Sequence, residues 1–151
     1  MTVLFKFVAA LLAIAFCIFV PAAAGATGTI NIHRSNGTSN RYGDVEIRIF
    51  SGSLFLTSDN GRGTIVITQA ACSYQGKIIV CLPIAAALVQ EGESDALNLK
   101  NGTIYLNYSG AAQPLSRSSA KLPANSILVA LTLKDGTFIE VRGKIDEVVE
   151  R

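Results

Sequence analysis

Residues 45–57 read VEIRIFSGSLFLT, and apolar and polar residues alternate through most of this stretch on both sides of Ser51-Gly52. Successive side chains of a strand point to opposite faces, so such alternation marks a half-buried β-strand. A two-residue turn at Ser51-Gly52 sets Ile49 opposite Leu54 and Ile47 opposite Leu56, which keeps the apolar residues on one face through the turn. A second turn around Asp59, Asn60 and Gly61 brings Leu54 and Leu56 to Ile67 and Ile65. The result is a three-strand meander whose other face carries Asp44, Glu46 and Arg48, most simply as a solvated surface.

The rest of the chain repeats the theme. Short apolar runs rich in Ile, Val, Leu and Thr are separated by Gly-containing turns, which predicts an all-β, antiparallel domain of about 8 to 10 short strands built from consecutive hairpins. A β-sandwich is the expected form, with a partly closed barrel as the variant. Two segments fit less well: Ile84–Val89 is too short to assign by period, and the tail from Lys144 to Arg151 is charged.

Two Gly-containing pentapeptides echo one another, Leu99-Lys100-Asn101-Gly102-Thr103 and Leu133-Lys134-Asp135-Gly136-Thr137. Asn-Gly is the favoured dipeptide of a two-residue hairpin turn, and a turn at Asn101-Gly102 pairs Leu99 with Ile104 and Leu97 with Leu106. At Asp135-Gly136 a two-residue turn would set Leu131 against Glu140. A three-residue turn with Gly136 left-handed sets Leu131 against Ile139 and Val129 against Val141, and polarity favours it. The echo reads as shared hairpin chemistry rather than as a duplicated unit.

Ahead of the domain, Lys6 precedes fourteen apolar residues from Phe7 to Val20, followed by Pro21 and small residues. That order is the pattern of a cleavable signal peptide, here residues 1–24, leaving a domain over 25–151. Cleavage sites overlap after Ala24 and after Ala26. A membrane-spanning helix needs about 20 apolar residues, so the run is too short for an anchor. Without Lys6 the chain carries 12 basic and 11 acidic residues. This near balance points away from nucleic acid and anionic membranes as partners. The expected destination is periplasmic or extracellular.

Export leaves two cysteines, Cys72 and Cys81, in an oxidising compartment. A type II′ turn at Gly76-Lys77 pairs residue 75 with 78 and, counting outward, Cys72 with Cys81 in a non-hydrogen-bonded position. There the Cα atoms lie about 4.5 Å apart, close enough to bridge. A structural disulfide follows. A metal site lacks ligands, since His33 is the only histidine.

Catalytic motifs are absent. His33 falls on the polar parity of its strand and runs into a turn-rich stretch holding Arg34, Arg41 and Tyr42, which is the candidate recognition loop. Glu91, Glu93 and Asp95 share a loop without the spacing of a calcium motif. The connection Gly110–Asn125 is long, basic and serine-rich, and reads as a crossing between two sheets. Asn36, Asn101 and Asn107 each begin an Asn-x-Ser/Thr acceptor sequence. No cofactor is expected. The reading that follows is an exported, non-enzymatic binding or structural surface module whose partner is a protein or a surface glycan. The alternatives are a small-molecule or lipid carrier with a barrel cavity, a small hydrolase using His33 and, least favoured because the strands read as short, an outer-membrane barrel.

Overall fold

The computed structural model describes residues 23–50, 52–57, 63–90, 93–115 and 120–149. Among them lie eleven strands: β1 (Ala23–His33), β2 (Ser39–Phe50), β3 (Ser53–Thr57), β4 (Thr64–Gln75), β5 (Ile78–Gln90), β6 (Glu93–Leu97), β7 (Leu99–Asn107), β8 (Gln113–Pro114), β9 (Lys121–Leu122), β10 (Ser126–Leu133) and β11 (Phe138–Val149). All pairings are antiparallel, as the hairpin pattern predicts.

The main sheet runs β4-β3-β2-β1-β11-β10-β7-β5, and β5 pairs back onto β4. Eight strands therefore close into a ring, with β6 adding to one half of β5. The closed form is realised rather than two separate layers, and closure leaves the ring no free edge. Strands are longer than the sequence suggests: β5 has 13 residues and β2, β4 and β11 have 12 each. Ile84–Val89 is the second half of β5. Lys144–Val149 is the end of β11, held in register by β1 from Thr27↔Lys144 to Ala23↔Val149.

Alternation places the core. Ile47 and Ile49 of β2, Leu54 and Leu56 of β3, Ile67 of β4, Ile104 and Leu106 of β7, and Val129 and Leu131 of β10 are all buried inside the ring. Their outward neighbours include Glu46, Arg48, Glu140 and Arg142. This polarity is the inverse of a membrane-spanning barrel, whose outside is apolar and inside polar. The long strands thus remove one argument against that reading and the charges supply another.

The meander forms with the predicted pairs Ile49↔Leu54, Ile47↔Leu56, Leu54↔Ile67 and Leu56↔Ile65. Ser51 and the turn at Asp59, Asn60 and Gly61 lie outside the described residues. The last hairpin takes the three-residue form, with Leu131↔Ile139 and Val129↔Val141. Gly136 sits at φ 92°, and its N–H donates to the Leu133 carbonyl at 3.0 Å.

The Asn101-Gly102 hairpin does not form. β7 runs straight through both residues and pairs them with β10, Asn101↔Thr132 and Gly102↔Leu131. Leu97 and Leu99 belong instead to separate pairings, Leu97 with Ala86 of β5 and Leu99 with Leu133 of β10. A register shift between Leu99 and Asn101 leaves Lys100 as an extra residue. Such a bulge reverses side-chain parity just as a turn would, so Leu99 still packs on the core.

Cys72 and Cys81 are bonded, with Cα atoms 4.1 Å apart. They are the pair counted from the Gly76-Lys77 turn, where Gln75↔Ile78 closes the hairpin and Gly76 takes φ 65°. Loop-closure entropy for this separation of 9 residues corresponds to about 2 to 3 kcal/mol. The bond joins β4 and β5, the strands whose pairing completes the ring.

Candidate functional site

All four residues of the predicted recognition loop lie toward the barrel end formed by the β1–β2 turn. Arg34 donates its backbone N–H to the Thr38 carbonyl at 2.8 Å, and the Asn36 carboxamide oxygen accepts from Thr38 N–H at 3.0 Å and Thr38 Oγ1 at 2.7 Å. This Asx-type turn is what Asn followed by Gly favours. It fixes the hairpin from which the candidate side chains project.

His33 lies opposite Ser39 on one side and Phe138 on the other. Its Nδ1 is 2.9 Å from Ser39 Oγ, and its ring stacks on Phe138 with centroids 6.2 Å apart. Arg34 reaches over to hydrogen-bond the Asn40 side chain through Nη1. Arg41 stands opposite Asn31, which in turn stands opposite Glu140. Residues directly opposite one another share a face, so His33 and Arg41 both lie on the outer wall. Tyr42 faces Ile30, a core residue, and is thereby turned to the other face at the mouth of the barrel.

The loop therefore divides in two. His33, Ser39, Arg41 and the Glu140–Arg142 ion pair, N to O 2.7 Å, make a polar outer surface. Tyr42 does not join them. Ser39 and Phe138, the two contacts of His33, are absent from the sequence-based site. Only register identifies them, through the tightness of the β1–β2 turn and the β1–β11 pairing.

Chemically this is a hydrogen-bonding surface. A hydroxyl against an imidazole is two-thirds of a hydrolytic triad, but among the described residues no carboxylate holds the other ring nitrogen of His33. Both partners are exposed, so no low-dielectric pocket strengthens them. Among the described residues no three His, Cys, Asp or Glu side chains gather as a metal site. Glu93 and Asp95 lie on β6 opposite Gln90 and Leu88, and Glu91 lies outside the described residues.

At the other end of the barrel the long connection between β7 and β10 forms a cap. β7 and β10 are adjacent in the sheet, so the segment 110–125 links neighbours instead of crossing between layers. β8 and β9 pair within it, residues 116–119 lie outside the described residues, and Leu122 is buried. Asn107, 0% exposed, holds the cap down: its Nδ2 donates to the carbonyls of Ala111 at 3.0 Å, Leu122 at 3.3 Å and Pro123 at 2.9 Å, while its Oδ1 accepts from Ser109 N–H at 2.9 Å. The acceptor sequence at Asn107 is thus spent on structure. Beside it, burial pushes the Tyr108 phenol up to about 12, with the nearby Tyr74 adding to the shift.

A groove of about 330 Å³ lies across the N-terminal half of β1, lined by residues that include Gly25, Thr27, Glu46, Arg48, Phe50 and Asp146. Comparison with protein families, curated proteins and solved structures finds no match to this chain.

Proposed function

We propose that the protein is an exported module that works through its outer surface, as a binding or structural component of an envelope or cell exterior, and not as a carrier or a hydrolase. The observation that carries this is the filled ring: large side chains such as Ile47, Leu54, Ile104 and Leu131 meet inside it at 1% exposure or less. A carrier barrel needs an interior left open for its ligand. The disulfide supports an oxidising destination.

On this reading the His33, Arg34 and Arg41 end meets a protein or surface glycan through hydrogen bonds. Two arginines and a hydroxyl–imidazole pair suit polar, oxygen-rich groups. The test has two parts. Expressed with residues 1–24 in place, the chain is expected in the exported fraction, trimmed and without free thiols. The purified protein is then expected to co-sediment with the isolated envelope or cell-surface fraction, at least tenfold less when Arg34 and Arg41 are both replaced by Ala. Retention in the cytoplasm, or saturable uptake of a fluorescent apolar probe by the folded protein, would sink the proposal.

A further inference from the structure

The outer side of β1 is the floor of a trough. Ala24, Ala26 and Ile30 turn inward to the core, so Gly25, Thr27, Thr29, Asn31 and His33 face outward. Longer side chains stand beside these on the two neighbouring strands: Arg48 beside Gly25, Glu46 and Lys144 beside Thr27, Arg142 beside Thr29, Arg41 and Glu140 beside Asn31. Short residues thus run between two rows of tall ones. From Gly25 to His33 the floor is about 26 Å long at 3.3 Å per residue, and its walls are two strand spacings apart, about 10 Å.

One end of the trough is the His33 surface and the other is the groove of about 330 Å³. Each end carries an aromatic ring: Phe138 is stacked on His33, and the exposed Phe50 meets Phe55 edge-on at 5.7 Å. Along the walls charge is plentiful but cancels. Residues 41–48 of β2 and 140–146 of β11 each hold two cations and two carboxylates, so with Glu147 the sector stands within one charge of neutrality. On each wall a carboxylate and a guanidinium two residues apart are joined, Glu46 with Arg48 at 2.8 Å and Glu140 with Arg142 at 2.7 Å. Thr27 Oγ1 donates to Asp146 Oδ2 at 3.2 Å. The trough therefore offers acceptors and donors side by side instead of a field of one sign.

We infer that this trough binds a neutral, extended polysaccharide laid along β1 from the His33 end to the Phe50 end. The inference rests on the surface-binding reading above and chooses between its two partners. Neighbouring sugar hydroxyls both donate and accept, which matches a carboxylate held beside a guanidinium, and the C–H faces of sugar rings suit an aromatic at each end. An anionic chain finds no excess of positive charge. A polypeptide strand finds no edge to add to, because β1 is paired on both sides. A folded protein partner is met through an apolar centre, and the centre of this floor is Thr27, Thr29 and Asn31. The length takes several sugar units in a row and the width takes one chain. Processing after Ala24 leaves the floor from Gly25 onward in place.

Affinity electrophoresis of the oxidised protein, however obtained, through gels containing hydroxyethyl cellulose, laminarin, mannan or dextran tests the inference, with heparin as the anionic comparison. Retardation by at least one of the neutral polysaccharides is expected, and it should persist when salt is raised. Thr27→Trp fills the middle of the floor and should abolish the retardation while far-UV circular dichroism stays unchanged, since Thr27 is exposed. Arg48→Ala and Arg142→Ala should each weaken binding by about tenfold, the loss of one charged hydrogen bond. Lys77→Ala, in the β4–β5 turn, should change nothing. Free migration in all four neutral polysaccharides overturns the inference, and co-sedimentation with the envelope would then leave the surface-binding reading standing without it. Retardation by heparin alone also overturns it, as does retardation that is lost on replacing Arg34 and Arg41 but kept in Thr27→Trp. If Thr27→Trp misfolds, the Arg48 and Arg142 variants carry the same test, and undiminished retardation in both overturns the inference. Export is not needed for this binding, so retention in the cytoplasm would count against the exported module and not against the trough.

Discussion

Leu99-Lys100-Asn101-Gly102-Thr103 and Leu133-Lys134-Asp135-Gly136-Thr137 differ at one residue and adopt opposite structures, the first an extended strand with a bulge and the second a three-residue turn. They are also neighbours: Leu99 pairs with Leu133, and the Lys134 N–H donates to the Asn98 carbonyl at 2.8 Å. Local turn chemistry is therefore permissive, and long-range pairing decides. For the second pentapeptide, β10 and β11 pair with each other along their length, so the chain must reverse. For the first, β5 and β6 already form a hairpin ahead of it, and β10 supplies a partner along the length of β7.

The sharpest way to break the comparison is at the two glycines, whose roles are different. A Cβ on Gly102 would stand 2.7 Å from Leu131 Cδ2, 2.9 Å from Pro83 Cγ and 3.1 Å from the Ala130 carbonyl oxygen. Gly102→Ala thus overpacks the space between β5, β7 and β10, and thermal or urea unfolding should show a loss of about 2 to 3 kcal/mol. Were Asn101-Gly102 an open turn, the loss would be smaller and steric crowding would play no part.

Gly136→Ala should follow with about 1 to 2 kcal/mol, because its φ of 92° is a conformation that side chains with a Cβ resist. Here the cause is backbone strain, so Gly136→Asn should recover part of the loss while Gly102→Asn should make matters worse. Equal responses to Asn at both positions would erase the distinction.

The smallest effect belongs to the residue by which the pentapeptides differ. Hydrogen bonding to the Thr137 backbone N–H, with Asp135 Oδ1 accepting at 2.8 Å, holds the Asp135 carboxyl below its ordinary value. A lowered folded-state value means that the stability it contributes is present above the unfolded value and is lost as pH falls through the folded one. Asp135→Asn should therefore flatten the acid limb of a stability–pH curve slightly and leave neutral stability nearly unchanged, since Asn makes the same turn bond. Asn101→Asp, on a strand, should show no such acid dependence.

The same contrast explains what could be read from the sequence. At Ile47–Leu56 and Val129–Val141 parity fixed the register, because one choice alone kept apolar residues together, and at Cys72–Cys81 the Gly76-Lys77 turn chemistry fixed it. At Asn101-Gly102 parity could not discriminate, since a bulge at Lys100 and a hairpin turn satisfy Leu99 equally. Closure of the ring rests on β4 meeting β5 and β1 meeting β11, and the latter pairs residues more than a hundred positions apart. The candidate site was legible to the same depth. His33 on the outer wall follows from alternation, whereas its contacts Ser39 and Phe138 come from pairing, and Tyr42 departs because a strand alternates even where a loop was expected.

Ala23 and Val149 stand directly opposite one another at the ends of β1 and β11. A pull applied at those two points loads the β1–β11 bonds one after another, from Ala23↔Val149 inward, instead of shearing them together. The barrel is thus built to resist heat through its filled interior and to open at low force, like a zip, when tension reaches it through its ends. Expected processing after Ala24 would shorten that zip by two residues and take the buried Ala24 with it.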